Sequence, residues 1–331
     1  MKKSILVTGG TGFIGAHICK ALAQRGESVI CADIKPIEVN PQLNWFLEPV
    51  KNKIMFLKLD TTDLAGLLRA TRDHQVGKII HASAMTDSEV ILNQPLLTMK
   101  SIVGGSLNIF ETARILNLKR VIYISSIAVY SSVEYEPMDE DHPVLRSDQP
   151  PPLAAYSSSK LAAESFGLCY WGYHGLDFLA FRLSAVYGFG MQYPMYIKPM
   201  VEDALSGRPS KFPTGGDMSR DYTYVKDVVT GILLALDNQK LFQHRIFNLS
   251  SGQPPVKASQ LANIIKQILP RASIEIGSGL DEIEEKQVKS RGKLSIERAR
   301  SEFGYEPKYS LTEGIKDYIQ SYTEYMEKMG K

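Results

Sequence analysis

The chain has 331 residues, of which 44% are apolar and 22% are charged. This length predicts two domains or one large α/β unit with an appendage, and a core that needs no disulfides or metals. The formal net charge is only +2, which argues against general attraction to nucleic acid or to a membrane surface. No apolar run approaches the roughly 20 residues of a transmembrane helix. The three cysteines form no Cys-x-x-Cys motif, and their sparse, odd count favours a reduced, cytoplasmic compartment.

Short apolar runs alternate with helix-like segments over the first 183 residues. The predicted strands, in chain order, are Ser4–Thr8, Ser28–Ala32, Ile54–Leu59, Lys78–Ala82, Arg120–Ser125 and Asp177–Leu183. The predicted helices between them are Phe13–Arg25, Asp63–Asp73, Pro95–Leu116 and Ala155–His174. Because the strands are short and mostly apolar, we expect both faces of their sheet to be covered. The alternation predicts an α/β fold with a Rossmann-type, doubly wound parallel sheet.

Glycine and proline become frequent after Leu183, and the pattern changes. Two further stretches, Asp221–Val225 and Arg245–Leu249, are predicted to extend the sheet. The remaining predicted helices are Lys226–Asn238, Lys257–Leu269, Leu294–Phe303 and Thr312–Lys328. We therefore expect a Rossmann domain over residues 1–183, with its sheet completed within 221–249. Residues 184–220 and 250–331 should form a smaller, interleaved α/β cap domain that binds the substrate.

A glycine-rich turn, Thr8–Gly15, joins the first predicted strand to the first helix and contains a G-x-G-x-x-G pattern. Glycines at this spacing permit a tight turn and close approach to a pyrophosphate, and the helix N-terminus supplies N–H donors. Asp33 ends the second strand, where a carboxylate binds the ribose hydroxyls of NAD and repels the 2′-phosphate of NADP. NAD is therefore the expected cofactor, although the neighbouring Lys35 leaves NADP open. The predicted cofactor contacts of the turn are Gly9, Gly12, Phe13, Ile14 and Gly15.

Further cofactor contacts are predicted where the third and fourth strands end. Asp60 follows the third strand, where its carboxylate would reach the adenine amino group with Thr61 beside it, whereas Thr62 or Asp63 could cap the next helix. The fourth strand ends in small residues that leave room for a cofactor. The predicted contacts there are His81, Ala82 and Ala84. His81 has no partner at metal-ligand spacing, so no metal site is expected.

A serine, a tyrosine and a lysine form the predicted catalytic group. Ser126 follows the fifth strand, and Tyr156 and Lys160 lie one turn apart on one face of a predicted helix. A nearby ammonium would stabilise the tyrosinate and lower the pKa of Tyr156, and Ser126 would hydrogen-bond the reacting oxygen. This combination suits alcohol–carbonyl interconversion with a hydride carried by the cofactor. The competing interpretation is an ordinary helix with an exposed lysine.

At these positions the sequence resembles the extended short-chain dehydrogenase/reductase superfamily, in its NAD-dependent epimerase/dehydratase family. The matching segments are Thr8–Gly15, Asp33, Asp60, His81–Ala84, Ser125–Tyr130, Tyr156 with Lys160, Arg182, Val186–Gly188 and Arg220–Val228. The resemblance implies that Ser126, rather than Ser125, is the catalytic serine. It also implies that Tyr156 is the acid/base and that Lys160 holds the nicotinamide ribose and tunes Tyr156.

The resemblance further implies that Arg220 grips a substrate diphosphate, against the alternative of a structural pair with Asp221 or Asp227. Members of the superfamily often dimerise through the helices that are predicted here at Pro95–Leu116 and Ala155–His174. A homodimer is therefore expected.

Several departures from the family pattern bear on the substrate. Ile127 and Ala128 stand where dehydratases carry an acid, which disfavours dehydration. Ala185 and Ile102 each stand where an asparagine is usual, and the later Arg-x-Gly-Asp segment is reduced to Arg291–Lys293. The last three changes weaken the case for a nucleotide sugar without affecting the hydride chemistry.

The favoured function is an NAD-dependent sugar epimerase of the nucleotide-sugar 4-epimerase type, working by transient hydride transfer. The alternative is an NAD(P)-dependent dehydrogenase or reductase of a smaller hydroxy or keto compound, and a third is a non-catalytic Rossmann binding module. The expected partner is a small-molecule substrate, with neither nucleic acid nor a membrane. The predicted substrate contacts are Met85, Thr86, Ser126, Ala185 and Arg220.

Overall fold

The structure is a computed structural model that describes residues 3–145 and 153–330. The strands, numbered in chain order, are β1 Ser4–Thr8, β2 Val29–Asp33, β3 Ile54–Lys58, β4 Val76–His81, β5 Arg120–Ser126, β6 Phe178–Leu183, β7 Ala185–Tyr187, β8 Ser210–Phe212, β9 Ser219–Arg220, β10 Tyr222–Tyr224, β11 Ile246–Leu249, β12 Val256–Lys257 and β13 Ile274–Ile276. The helices are α1 Phe13–Gln24, α2 Pro41–Leu47, α3 Leu64–Asp73, α4 Ser88–Asn93, α5 Pro95–Met99, α6 Gly105–Ile115, α7 Ala154–His174, α8 Ile197–Leu205, α9 Val225–Asp237, α10 Ala258–Ile268, α11 Glu282–Val288, α12 Glu297–Phe303 and α13 Leu311–Lys328.

Seven strands form one parallel sheet in the order β11-β6-β5-β4-β1-β2-β3. This is the Rossmann order with one added strand, and the chain reverses direction across the sheet between β1 and β4. Ligands of open α/β sheets bind at the carboxyl ends of the strands beside such a reversal. The predicted doubly wound parallel sheet is confirmed, and its topology places the turn after β1 next to the segment after β4.

Apolar strands and the helices that cover them make the core of this sheet. Every residue of β1 is buried, as expected for a strand covered on both faces. One core cluster joins Leu6 of β1 and Tyr123 of β5 to Phe110 of α6 and Phe178 of β6. Removing these side chains from water is the main favourable contribution to the stability of the sheet.

The predicted elements differ from the structure mainly at their ends, but the segment predicted as one helix over Pro95–Leu116 is interrupted. It consists of α5, a π-helical stretch over Lys100–Gly104, and α6. At the start of α6, a Cβ on Gly105 would stand 2.5 Å from the hydroxyl oxygen of Thr61. The glycine thus permits a close approach to the segment that follows β3.

Four helices were not predicted, although three of them begin with a capping residue that the sequence displays. The side chain of Asn40 caps α2, that of Asp87 caps α4, and Asp281 forms a capping box with Glu284 at the start of α11. Short polar side chains at these positions accept the first free N–H groups of a helix. The fourth helix, α8, has no side-chain cap among the described residues.

The prediction that both Asp221–Val225 and Arg245–Leu249 extend the main sheet is wrong for the first stretch. Only β11 joins the seven-stranded sheet, whereas β10 pairs in parallel with β7 in a separate two-stranded sheet. All three residues of β10 are buried, as the prediction requires. The error concerns the neighbouring strand, because a short buried segment does not reveal from its sequence which strand it pairs with.

The chain divides into two compact units. The first comprises residues 3–129, 153–182 and 229–247, and the second comprises 130–145, 183–228 and 248–330. Residues 130–145 thus belong to the second unit, although the expected division lies at 183. Their contacts explain this placement, since Glu140 accepts a hydrogen bond from the backbone N–H of Asn248 and Met138 forms a bridge with Leu294. Among the described helices, none has the length and apolar character needed to cross a membrane.

Candidate active site

The turn between β1 and α1 is packed so tightly that a side chain would not fit at several of its positions. Gly9 has a φ of +67°, and a Cβ there would lie 2.6 Å from the backbone nitrogen of Ser83, which follows β4. A Cβ on Gly15 would lie 2.0 Å from the carbonyl oxygen of Gly9, and one on Gly10 would lie 2.6 Å from the sulfur of Cys31. The glycines therefore permit the tight turn that brings the ends of β1 and β4 together.

The N-terminus of α1 suits an anionic ligand. Gly12, the residue before the helix, is extended, and within the described residues no side chain caps the helix. Its first turn carries no acidic residue. The first N–H groups of a helix have no intrahelical acceptor and lie at the positive end of its dipole. An uncapped helix start behind a glycine turn with no room for side chains fits the diphosphate of a dinucleotide.

Two predicted acidic contacts follow β2 and β3. Asp33 is partly buried, and its carboxylate accepts the N–H groups of Thr11 at 3.3 Å and Lys35 at 3.2 Å. Asp60 is exposed, and one of its oxygens accepts both the N–H and the hydroxyl of Thr62 at 2.8 Å. These bonds tie Asp33 to the glycine turn and hold Asp60 at the end of β3.

The capping alternative at this strand end is settled by Asp63, whose carboxylate accepts the N–H of Gly66 and caps α3. The neighbouring Thr61 is buried, and its carbonyl accepts the side-chain amide of Asn108. The side chain of Thr61 is therefore packed between secondary-structure elements.

His81, at the end of β4, is fully enclosed. Its Nδ1 lies 2.7 Å from the hydroxyl of Thr8, and its Nε2 lies 3.1 Å from that of Ser106. The Ser106 hydroxyl donates to the carbonyl of Ile102, so it accepts from His81 and the ring carries its proton on Nε2. Burial, followed by the charge of Lys160, lowers the pKa of His81 to about 3. The ring is thus a neutral structural link, and this residue could meet a cofactor only through its backbone.

The other predicted contacts after β4 lie on the segment leading to α4. Ala82 donates its N–H to the carbonyl of Thr8, which continues the pairing of β4 with β1. Ala84 and Met85 are partly buried, and Thr86 is exposed. Met85 and Thr86 on this segment are predicted substrate contacts.

The two serines that end β5 have different environments. Ser125 is buried and donates a hydrogen bond of 2.5 Å to the carboxylate of Glu164. Ser126 is partly exposed, and its hydroxyl oxygen accepts the N–H of Ala128 at 3.1 Å. Ser126 is therefore the more exposed of the two serines, whereas the hydroxyl of Ser125 is engaged by Glu164.

Tyr156 and Lys160 lie one turn apart on α7. The ammonium of Lys160 lies 5.7 Å from the centre of the Tyr156 ring and 4.8 Å from that of Tyr123. It donates to the carbonyl of Ile124 at 2.6 Å, and only 2% of the residue is exposed. Desolvation lowers the pKa of Lys160 to about 7, although the charge of Glu164 opposes that change. The interpretation as an exposed helix lysine is therefore wrong.

A buried ion pair beneath this group was not predicted. Glu164 lies one turn beyond Lys160, and Arg182 on β6 forms a two-pronged pair with it, at 2.7 Å for the shortest contact. The two side chains are 1% and 3% exposed. A signal was present, because an arginine inside the apolar strand Phe178–Leu183 requires a buried acidic partner. Glu164 connects the helix of Tyr156 and Lys160 to the strand that ends in Ser126.

The remaining predicted substrate residues, Ala185 and Arg220, lie in the second unit. Ala185 is partly buried in β7. The Arg220 guanidinium donates to the side-chain oxygen of Gln287. The alternative pair with Asp227 does not form, since that carboxylate accepts the N–H groups of Lys308 and Tyr309. Asp221 instead accepts a hydroxyl hydrogen bond from Ser251 at 3.0 Å.

Over residues 3–145 and 153–330, no cluster of three or more histidine, cysteine, aspartate or glutamate side chains could hold a metal ion.

Comparison with known proteins agrees with this geometry. Residues 5–250 match the model of the NAD dependent epimerase/dehydratase family. An uncharacterised protein of Methanocaldococcus jannaschii is 32% identical, with 97% of each chain covered. A UDP-glucuronate 4-epimerase of Thermodesulfobacterium geofontis is 26% identical over 94% of this chain and 93% of its own. The UDP-glucose 4-epimerase of Thermus thermophilus, solved with NAD, is 26% identical with a TM-score of 0.79, covering 97% of this chain and 99% of its own.

The family match spans both the glycine turn and the serine, tyrosine and lysine positions, and the first of these relatives is similar over nearly its whole length. The chain therefore belongs to the NAD dependent epimerase/dehydratase family, and it is an NAD-dependent enzyme of the extended short-chain dehydrogenase/reductase type.

Proposed function

We propose that the protein is a nucleotide-sugar 4-epimerase in which Ser126, Tyr156 and Lys160 form the catalytic group. The observation that carries the proposal is the buried Lys160 ammonium 5.7 Å from the Tyr156 ring. A cation held this close in a desolvated place favours the tyrosinate, which can then take a proton from a sugar hydroxyl. Relatives that match almost the full chain, including the UDP-glucuronate 4-epimerase above, support this reaction class.

In this mechanism each residue has a distinct task. Tyr156 removes the proton of the hydroxyl at the reacting carbon and later returns it, while Ser126 donates a hydrogen bond to the same oxygen. Lys160 stabilises the tyrosinate and is itself held by the Ile124 carbonyl. When bound, NAD supplies the oxidation and the reverse reduction, so that no net redox change results. Ile127 and Ala128 are buried and apolar, and they provide no further acid for elimination.

The first unit would hold the cofactor. Under this proposal the turn residues Gly9, Gly12, Phe13, Ile14 and Gly15 hold the diphosphate through the uncapped start of α1. Asp33 binds the ribose hydroxyls and Asp60 the adenine amino group, with Thr61, Ala82, Ala84 and the backbone of His81 beside them. The proposed substrate contacts are Met85, Thr86 and Ser126 in the first unit and Ala185 and Arg220 in the second.

One experiment separates this function from the dehydrogenase alternative. The purified protein is denatured and the released dinucleotide identified, and the native protein is then assayed with UDP-glucose, UDP-glucuronate and simple hydroxy acids. Epimerised sugar without accumulation of NADH is the expected result. Steady production of NADH would establish the dehydrogenase instead.

The catalytic assignment is tested by Tyr156→Phe, which should lower kcat by about 10²–10⁴-fold because the acid/base is lost. Tyr173→Phe is a matched control, since Tyr173 is on the same helix and 86% exposed. Unchanged activity of the first variant would rule out Tyr156 as the base.

We also propose a cytoplasmic homodimer, formed through α5 and α7, which pack against each other. Large apolar side chains are exposed on these two helices, including Leu96 at 64%, Met99 at 50% and Phe166 at 42%. Exposed apolar side chains on two neighbouring helices favour burial against a second copy. Sedimentation of the wild type and of Leu96→Asp tests this, with a dimer and a weakened dimer expected, respectively.

A further inference from the structure

Arg220 is a partly buried cation on a short paired strand. Its strand β9 pairs antiparallel with β12, with Arg220 opposite Val256. Burial lowers the pKa of Arg220, the direction expected for a cation that loses hydration without an ion-pair partner. An arginine nevertheless stays protonated in proteins, so Arg220 carries a positive charge at this position.

The acidic groups near this guanidinium are engaged elsewhere. Asp221, the next residue, accepts a serine hydroxyl at 3.0 Å. One oxygen of Glu284 accepts the phenol of Tyr196 at 2.5 Å, and the other accepts the N–H of Asp281 at 3.0 Å. Among the described residues no salt bridge to Arg220 is found, although the charge of the nearby Glu284 raises the pKa of Arg220 and so favours its protonated form.

Gln287, near the end of α11, supplies the hydrogen bond that holds the guanidinium. The acceptor is its side-chain oxygen Oε1, and the donor is one terminal nitrogen of Arg220. An amide orients the guanidinium plane without neutralising it, whereas a carboxylate at the same place would form a charged pair. Because the other N–H groups of the fork are not used by this bond, they can serve a phosphate in the two-pronged manner that arginine favours.

We propose that Gln287 is a positioning residue that holds Arg220 ready for the diphosphate of a nucleotide-sugar substrate while leaving the guanidinium without an ion-pair partner. This inference rests on the proposed function. The hydrogen bond to Gln287 lowers the entropic cost of binding, because the Arg220 side chain is already oriented before the ligand binds. It also selects for an anion, because the guanidinium gains an ion-pair partner only when the phosphate is present.

The test measures UDP binding to the NAD-containing protein by titration calorimetry, together with KM and kcat for UDP-glucose or UDP-glucuronate. The variants are Gln287→Glu, Gln287→Ala and, as a matched control, Gln267→Glu at an exposed position of α10. Gln287→Glu should weaken UDP binding by about tenfold or more, since the new carboxylate pairs with Arg220 and repels the diphosphate. Gln287→Ala should weaken it less, and the control should bind like the wild type.

A split between binding and turnover distinguishes positioning from a purely structural role. KM should rise in parallel with the dissociation constant for UDP, while kcat and the amount of retained NAD stay within about twofold. Wild-type affinity in Gln287→Glu, with loss of UDP binding in Arg220→Leu, would overturn the role of Gln287 and leave the proposed function intact. Equal losses of UDP affinity in Gln287→Glu and Gln287→Ala would also overturn the role of Gln287. So would a fall in kcat and in retained NAD that accompanies the loss of UDP affinity. A wild-type protein that binds no UDP would overturn both.

Discussion

The buried pair of Glu164 and Arg182 makes a sharp prediction about stability. Glu164→Gln keeps the size of the side chain and removes its charge, which leaves Arg182 as a cation that is only 3% exposed and has lost its carboxylate. Breaking one side of a buried pair costs about 3–5 kcal/mol. With about 2 °C in Tm for each kcal/mol in a chain of this size, the melting temperature should fall by about 6–10 °C.

Calorimetry or circular dichroism measures this shift, and a pair that is much less buried supplies the control. Glu111 pairs with Arg114 at 2.7 Å, with side chains 27% and 41% exposed. Surface pairs contribute at most about 1 kcal/mol, so Glu111→Gln should lower Tm by no more than about 2 °C. Equal shifts in the two variants would refute the reasoning from burial.

A double variant tests the cause. Glu164→Gln with Arg182→Met removes both charges, so most of the lost stability should return. A double variant that melts as low as the single one would show that the unpaired cation is not responsible. The charge of Glu164 also raises the pKa of Lys160, so Glu164→Gln should lower that pKa below about 7. Activity that depends on the Lys160 ammonium should then decline at a lower pH than in the wild type.

Three further predictions concern the cofactor side of the first unit. Gly9→Ala should abolish retention of NAD, because a Cβ would lie 2.6 Å from the backbone of Ser83. Retained NAD is measured as the dinucleotide released when the purified variant is denatured, and a normal NAD content would contradict the turn geometry. Asp33→Asn should weaken NAD binding about tenfold and reduce the preference of the protein for NAD over NADP. The dissociation constants of NAD and NADP for the variant and the wild type measure both effects. His81 has a pKa of about 3 in the folded chain, against about 6.5 when unfolded, so the unfolded state binds the extra proton between these values. The stability present above pH 6.5 is therefore lost as the pH falls towards 3, by up to about 1.4 kcal/mol per pH unit. His81→Gln should flatten this slope in denaturant titrations at several pH values, and an unchanged slope would exclude His81 as its source.

Much of the first unit could be predicted because its signals are local. Strands of four to seven residues that alternate with helices, and the glycine pattern after β1, depend on short-range chemistry. The i,i+4 spacing of Tyr156 and Lys160 likewise requires only that their segment be helical, as it is. The proposed roles of these residues remain predictions for the variants above.

Contacts between distant parts of the chain could not be read in this way. The sequence by itself determined the α/β class, the position of the cofactor turn and the pairing of Tyr156 with Lys160 on one helix face. Only the tertiary structure decided that β10 pairs with β7, that Glu164 meets Arg182 and that Gln287 holds Arg220. The physical reason is that hydrophobic periodicity records which side chains are buried, whereas the partner of a buried charge or a short strand depends on packing between residues far apart in sequence.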